Sequence, residues 1–278
     1  MNLTAFIRSS LAEDIGNGDY TSLACIPATA TGEAHLLVKD TGIIAGVDLA
    51  KAIFEELDPG VQFTVKISDG SPVKPGDIVF SVSGRDRSLL AGERLLLNCM
   101  QRMSGIATTT RKYVDRLNGL STKVLDTRKT TPLLRDIEKW AVRIGGGMNH
   151  RMGLYDMILV KDNHVDYAGG IKEAINRVNS YRAANNLNIP FEIETRNLDE
   201  VRMVLETGNV DRIMLDNFAL PDLRAAVQLI NRAYETEASG GITLETVRAY
   251  AETGVDFVSV GALTHSVKSL DLSLKAAR

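Results

Sequence analysis

Apolar residues keep two different rhythms along this chain of 278 residues. In the first third, residues 33–39, 62–68 and 77–83 are short runs in which apolar and polar positions largely alternate. That is the period of half-buried β-strands. Leu3, Phe6, Ile7 and Leu11 recur at helical spacing, so residues 3–14 are predicted as a helix, and residues 46–57 as a second. Residues 15–22 read as a turn-rich loop. Breaks at Asp69-Gly70, Pro72 and Pro75-Gly76 punctuate a β-hairpin. From about residue 88 a long helical pattern runs to Leu117.

Beyond about residue 122 the rhythm changes. Short apolar runs at 123–126, 156–162, 191–195, 212–216 and 257–262 alternate with helix-like segments at 170–184, 198–207, 220–234, 243–253 and 265–277. Strands alternating with helices at this spacing predict βα units and a parallel sheet. Five or more consecutive units favour a barrel over a small open sheet. No Gly-x-Gly-x-x-Gly follows a first strand, which counts against a dinucleotide-binding fold.

Charged residues stand at the ends of these runs. Thr127, Arg128 and Lys129 follow the first, Lys161 the second, Glu194 ends the third and Asp216 the fourth. In a parallel βα barrel those ends open on one face, where the active site sits, so these sequence-distant residues are expected to converge. Arginine offers a fork that matches carboxylate or phosphate oxygens, and lysine a compact charge. Arg128, Lys129, Arg151 and Lys161 flank strand ends or glycine-rich loops and are the candidate ligands of a polyanion. Arg135, Lys139 and Arg143 sit four apart on one helix and read as a solvated face or an oligomer contact. Ser239-Gly240-Gly241, before a helix expected near Thr243, and Val260-Gly261-Ala262 suit phosphate oxygens, because glycine lets backbone N–H groups approach. Gly145-Gly146-Gly147 reads as a flexible joint. Glu194 and Asp216 fit either a Mg²⁺ carried on a diphosphate or a balance for Lys129 and Lys161. His164 and His265 are secondary candidates, His35 an ordinary strand residue and Trp140 a packing residue.

Composition narrows the classes. Lys plus Arg is 32 against Asp plus Glu 35, a net charge of −3, which argues against a nucleic-acid binder. No stretch approaches about 18 consecutive apolar residues, so no membrane span is expected. The opening residues lack the layout of a secretory signal, and a cytoplasmic location is expected. Cys25 and Cys99 are too few for a disulfide framework or a four-ligand zinc site.

The strings DIGNGDYTS, ERLLLNCMQRMSGIAT, DTRKTTP, KWAVRIGGGMNHRMGLYDMILVKDNH, IMLDNF, ASGGIT and VDFVSVGALTHS together resemble the quinolinate phosphoribosyltransferases, type II phosphoribosyltransferases. The resemblance runs from about residue 11 to about residue 274. It implies an N-terminal α/β open-faced sandwich (1–107, with the tail 266–278 packed back on it) and an incomplete parallel α/β barrel (108–265). The implied reaction joins quinolinate to 5-phosphoribosyl 1-diphosphate and yields nicotinate mononucleotide, diphosphate and CO₂, with Mg²⁺, in de novo NAD biosynthesis. It implies that Arg94 reaches the neighbouring subunit's quinolinate, making the working unit at least a homodimer. Thr127, Arg128 and Lys129 would bind substrate, and His150 and Arg151 would face the pyridine carboxylates. Lys161 would be the active-site lysine. Glu194 and Asp216 would serve ribose and metal, while Ser239, Gly240, Gly241, Val260, Gly261 and Ala262 would hold the 5-phosphate. The catalytic set is then Lys129, Lys161, Glu194 and Asp216.

Three competing readings are weighed beside it. A transport-associated paralogue shares the fold and much of the motif set, but the arginines and histidine suited to two carboxylates favour the enzyme. A carrier module would account for the N-terminal hairpin and leave the charged strand ends unexplained. A Schiff base on Lys161 would be trapped by borohydride.

Overall fold

The computed structural model describes residues 3–277. In chain order the elements are α1 (Leu3–Ile15), α2 (Tyr20–Cys25), β1 (Thr31–Val38), β2 (Gly42–Ile43), α3 (Val47–Leu57), β3 (Gln62–Val65), β4 (Pro72–Val73), β5 (Ile78–Arg85) and α4 (Asp86–Arg116). Next come β6 (Lys123–Leu125), α5 (Arg135–Ile144), β7 (Ile158–Val160), α6 (Asp162–Ala168), α7 (Ile171–Ala184), β8 (Phe191–Thr195) and α8 (Leu198–Thr207). The chain ends with β9 (Arg212–Asp216), α9 (Leu220–Ile230), β10 (Glu235–Ser239), α10 (Val247–Ala251), β11 (Phe257–Ser259), α11 (Ala262–His265) and β12 (Leu272–Ala276). Two compact units result: residues 1–111, 132–146 and 266–278 form one, and residues 112–131 and 147–265 the other.

The first unit is built on a four-stranded antiparallel sheet of order β12-β1-β5-β3. On β1, Ala34, Leu36 and Val38 are buried while His35 and Leu37 are half-buried, the two-residue alternation expected of a strand with one covered face. The covering helix is α3. Its Phe54 meets Phe63 of β3, which in turn stacks on Phe80 of β5 with ring centroids 4.4 Å apart. Segment 265–277, expected as a helix, is instead a short turn of helix followed by β12, whose Leu272, Ser273 and Leu274 pair with Val38, Leu37 and Leu36. Residues 20–22, expected in a turn-rich loop, belong to α2, which is capped by the Asp19 side chain accepting from the Ser22 N–H. On α5, Lys139 is fully buried beside Glu138, which accepts from Arg102 Nε at 2.7 Å. Lys139 is therefore no part of a solvated face. Gly145 is no loose joint either: it caps α5 and is buried. A β-carbon there would meet the Ala107 carbonyl of α4 at 2.6 Å.

The second unit is a six-stranded parallel sheet of order β6-β11-β10-β9-β8-β7. Consecutive strands β7 to β11 are neighbours, and the first strand β6 returns beside the last, which is the connectivity of a βα barrel. β6 and β7 do not pair. Instead Met148 makes one parallel bridge to Leu125, its N–H donating to Val124 O at 2.8 Å. The barrel is thus incomplete, as expected, and the segment carrying His150 and Arg151 is tied to β6. β10 was not expected as a strand. It pairs Glu235–Ser239 with Arg212–Asp216 of β9.

Candidate active site

The carboxyl ends of the strands in the second unit enclose a cavity of about 690 Å³. Thr127, Arg128 and Lys129 enter it from the loop after β6, Lys161 from the end of β7, Glu194 from β8, Asp216 from β9, Ser239-Gly240-Gly241 from β10 and Gly261-Ala262 from β11. His150 and Arg151 line it too. Of the residues singled out in the sequence, Val260 is buried and does not line the cavity. Arg94 is exposed on α4 and is also not among the lining residues. Leu159, Met214, Asn217, Glu237, Ile242, Thr243, Ser259 and His265 complete the wall.

Local folding explains each placement. Asp126 closes β6, is fully buried, and accepts the His150 N–H at 2.9 Å. That anchors the chain so that His150 and Arg151 project at the cavity floor. Gly261 allows a close approach: a β-carbon there would stand 3.0 Å from His265 Nε2 and 3.1 Å from Lys129 Cδ. Gly240, at φ +94°, packs on Asn217, where a β-carbon would collide with the side-chain oxygen. The helix expected near Thr243 starts at Val247 and has five residues. The Thr243 N–H is taken by Thr246 Oγ1 at 2.9 Å, so no helix N-terminus adjoins the Gly240-Gly241 pair.

Of the acidic pair, Asp216 is held by neutral donors and Glu194 lies near a cation. Asn217 Nδ2 donates to Asp216 Oδ2 at 2.6 Å, and the Ser239 hydroxyl donates to Asp216 Oδ1. Lys161 Nζ is 3.9 Å from Glu194 Oε2. Burial, and after it the like charge of Asp216, pushes the Glu194 carboxyl above its ordinary value. Oxygen donors of this kind, partly dehydrated and mutually repelling, fit a hard divalent cation that keeps water and phosphate oxygens in its shell.

His150 and Glu237 of the lining rest on Glu192 and Arg212 behind it. His150 Nε2 is 2.9 Å from Glu192 Oε2 and 3.5 Å from Glu237 Oε2. Glu237 also pairs with Arg212 Nη1 at 3.1 Å. Arg212 lies over the Phe257 ring, 4.1 Å from its centroid, and reaches Glu235 at 2.8 Å. Burial raises both Glu192 and Glu237, each pushed up to about 7. Glu192 carried a sequence signal, since it stands two residues before Glu194 and so faces the same side of β8.

Comparison with known proteins bears on this cavity. Residues 19–104 match the family described as quinolinate phosphoribosyl transferase, N-terminal domain, and residues 106–275 its C-terminal domain. A quinolinate phosphoribosyltransferase (decarboxylating) of Nicotiana tabacum is 48% identical over 99% of this chain and 82% of its own length. A probable nicotinate-nucleotide pyrophosphorylase (carboxylating) of Bacillus subtilis (strain 168) is 44% identical over 99% of this chain and 93% of its own. The solved nicotinate-nucleotide pyrophosphorylase of Francisella tularensis superposes with a TM-score of 0.91 at 40% identity, covering 99% of this chain and 96% of that one.

Proposed function

The chain belongs to the quinolinate phosphoribosyltransferase family, pentosyltransferases of NAD biosynthesis, and we propose that the cavity of its second unit is where the family reaction takes place. The observation that carries this is the convergence of Arg128, Lys129, Arg151 and Lys161 with Glu194 and Asp216 in one cavity. Cations for a dicarboxylate and a diphosphate stand beside anions for a cationic sugar. Arg128 and Arg151 bind the two carboxylates of quinolinate, with Thr127 beside them. His150 belongs to the same wall. Lys129 and Lys161 hold phosphate oxygens, and Ser239, Gly240, Gly241, Gly261 and Ala262 cradle the 5-phosphate. Val260 supports that last loop from the core.

Departure of diphosphate leaves an oxocarbenium-like ribosyl centre. The Glu194 and Asp216 carboxylates stabilise its positive charge, and Lys129 and Lys161 stabilise the leaving charge. The pyridine nitrogen attacks the ribosyl carbon. The pyridinium so formed stabilises the electron pair left on the ring carbon when the adjacent carboxylate leaves as CO₂, and that carbon then takes a proton from water to give nicotinate mononucleotide. Positioning and electrostatics suffice, and no protein nucleophile takes part. Glu194 and Asp216 would hold a Mg²⁺ borne on the diphosphate, which when bound supplies further neutralisation of the leaving group.

The smallest working unit is a homodimer, in which exposed Arg94 is delivered to the quinolinate of a second copy. Its exposure on α4 and absence from its own cavity support this. The cytoplasm is the proposed location, supported by two free cysteines. Among the described residues no helix is long and apolar enough to cross a membrane.

The test mixes purified protein with quinolinate, 5-phosphoribosyl 1-diphosphate and Mg²⁺. Nicotinate mononucleotide and CO₂ are expected in equal amounts, and their absence would overturn the reading.

A further inference from the structure

We propose that Glu192 and Glu237 are positioning residues for this transfer: they hold His150 so that its ring fixes the backbone of Arg151, and Arg151 rather than His150 faces the dicarboxylate. The inference rests on the reading of the cavity given above.

The hydrogen bonds around the ring assign its proton. The backbone N–H of Arg151 donates to His150 Nδ1 at 2.7 Å, so Nδ1 carries a lone pair. The ring proton is therefore on Nε2, which points at Glu192 Oε2 at 2.9 Å. Which nitrogen of a histidine is protonated follows from the bond the other makes. Both ring nitrogens are thus committed inside the protein, at a residue that is itself buried.

Arg151 is left with the opposite character. Its Nη1 donates to the Met157 carbonyl at 3.2 Å, which sets the guanidinium plane. Among the described residues Nε and Nη2 have no hydrogen-bond partner, and they form the edge that takes a carboxylate through two parallel bonds. Arg212 keeps the support in place by clamping Glu237 from below.

The same three side chains put their ligand atoms within 4.8 Å of one another, as a metal site would. The ring argues against that use. A metal on Nε2 needs the proton on Nδ1, where it would confront the Arg151 N–H.

Glu192→Ala and Glu192→Gln decide the matter, with quinolinate and the ribosyl donor varied separately. Alanine removes the acceptor that orients the ring. It should raise the quinolinate KM about tenfold or more while the donor KM stays within about twofold, the loss expected of one buried charge-assisted bond. Glutamine keeps an oxygen for Nε2–H and should stay within about threefold of the parent. An unchanged quinolinate KM in the alanine variant, an equal rise in both KM values, or a glutamine variant as impaired as alanine would each overturn the proposal.

Should the alanine variant not fold, ¹⁵N spectra of the His150 ring in the parent protein decide instead. The proton should be on Nε2 alone, with and without quinolinate. An Nδ1–H ring, or one doubly protonated in the complex, refutes the assignment. Parent turnover is measured first. Its absence would overturn the substrate reading, and the ring spectra of the free protein would still test the geometry.

Discussion

Arg151 loses solvent on entering the cavity floor, and Arg128 stands close enough to repel it. Burial first, and Arg128 second, lower its pKa from the ordinary guanidinium value. Two cations held together against repulsion imply an anion that repays the arrangement when it binds. Arg128→Ala should therefore raise the quinolinate KM about tenfold or more, since a charge-assisted bond contributes about 1.5–3 kcal/mol. A normal KM would remove Arg128 from the ligand set. The buried carboxyls below make a different prediction. Glu192 and Glu237 titrate in the fold near 7, against about 4.3 for a free glutamate. Between those values the folded state binds more protons than the unfolded one, so their contribution favours folding at the acid end and is lost as pH rises towards about 7. Glu237→Gln removes one of the two groups while keeping its volume. Thermal unfolding measured from about pH 5 to about pH 7.5 should then show a flatter Tm profile than the parent, with roughly 2–4 °C per kcal/mol for a chain of this size. An unchanged slope would mean that Glu237 is ionised throughout.

Strands whose alternate positions carry large apolar side chains were legible in the sequence, and β10, which lacks them, was not. β8 and β9 occupy the predicted residues because Phe191, Ile193, Ile213 and Leu215 are all buried. β10 has only Thr236 and Ala238 where its neighbour β9 has Ile213 and Leu215, while its inward Glu237 is paired with Arg212 and His150. The C-terminal strand was misread for another reason. Leu270, Leu272 and Leu274 repeat every second residue and are buried, but the Lys-Ala-Ala that follows favours helix locally, and only pairing with β1 decides between them. The charged strand ends were readable because βα connectivity alone brings them to one face. The layer of Glu192 and Glu237 depends on which alternate residues point inward, and its role became visible only with the ring of His150 in place. The junction of α5 with α4 offers a test at this scale. Gly145 leaves no room for a β-carbon against the Ala107 carbonyl and Thr110. Its φ of −70° suits any residue, so the effect of Gly145→Ala isolates packing. A loss of about 1–3 kcal/mol is expected from overpacking, read as a lower denaturation midpoint. An unaltered midpoint would show that the two helices part at no cost.

Across the whole molecule the charge is −3, yet both proposed substrates are anions. Two fields therefore compete for control of encounter. If net charge governed, the protein would repel its substrates at long range, and added salt would speed their capture by screening that repulsion. If the cavity governs, Arg128, Lys129, Arg151 and Lys161 draw anions toward an opening walled by low-dielectric protein, which focuses their field, and added salt slows capture. The four cations lie at the strand ends around one cavity and outnumber Glu194 and Asp216 beside them, whereas Glu235 and Glu237 are paired with Arg212. At the substrate's approach distance the local term is thus the larger. Raising salt from roughly 0.05 M to roughly 0.5 M shortens the screening length from more than about 10 Å to a few ångströms. Over that range kcat/KM for quinolinate should fall severalfold, with Tm little changed. The decline should be shallower in Lys129→Gln, which removes one cation from the mouth. A rise in kcat/KM with salt would mean that the overall negative charge, and not the cavity, sets the approach of substrate.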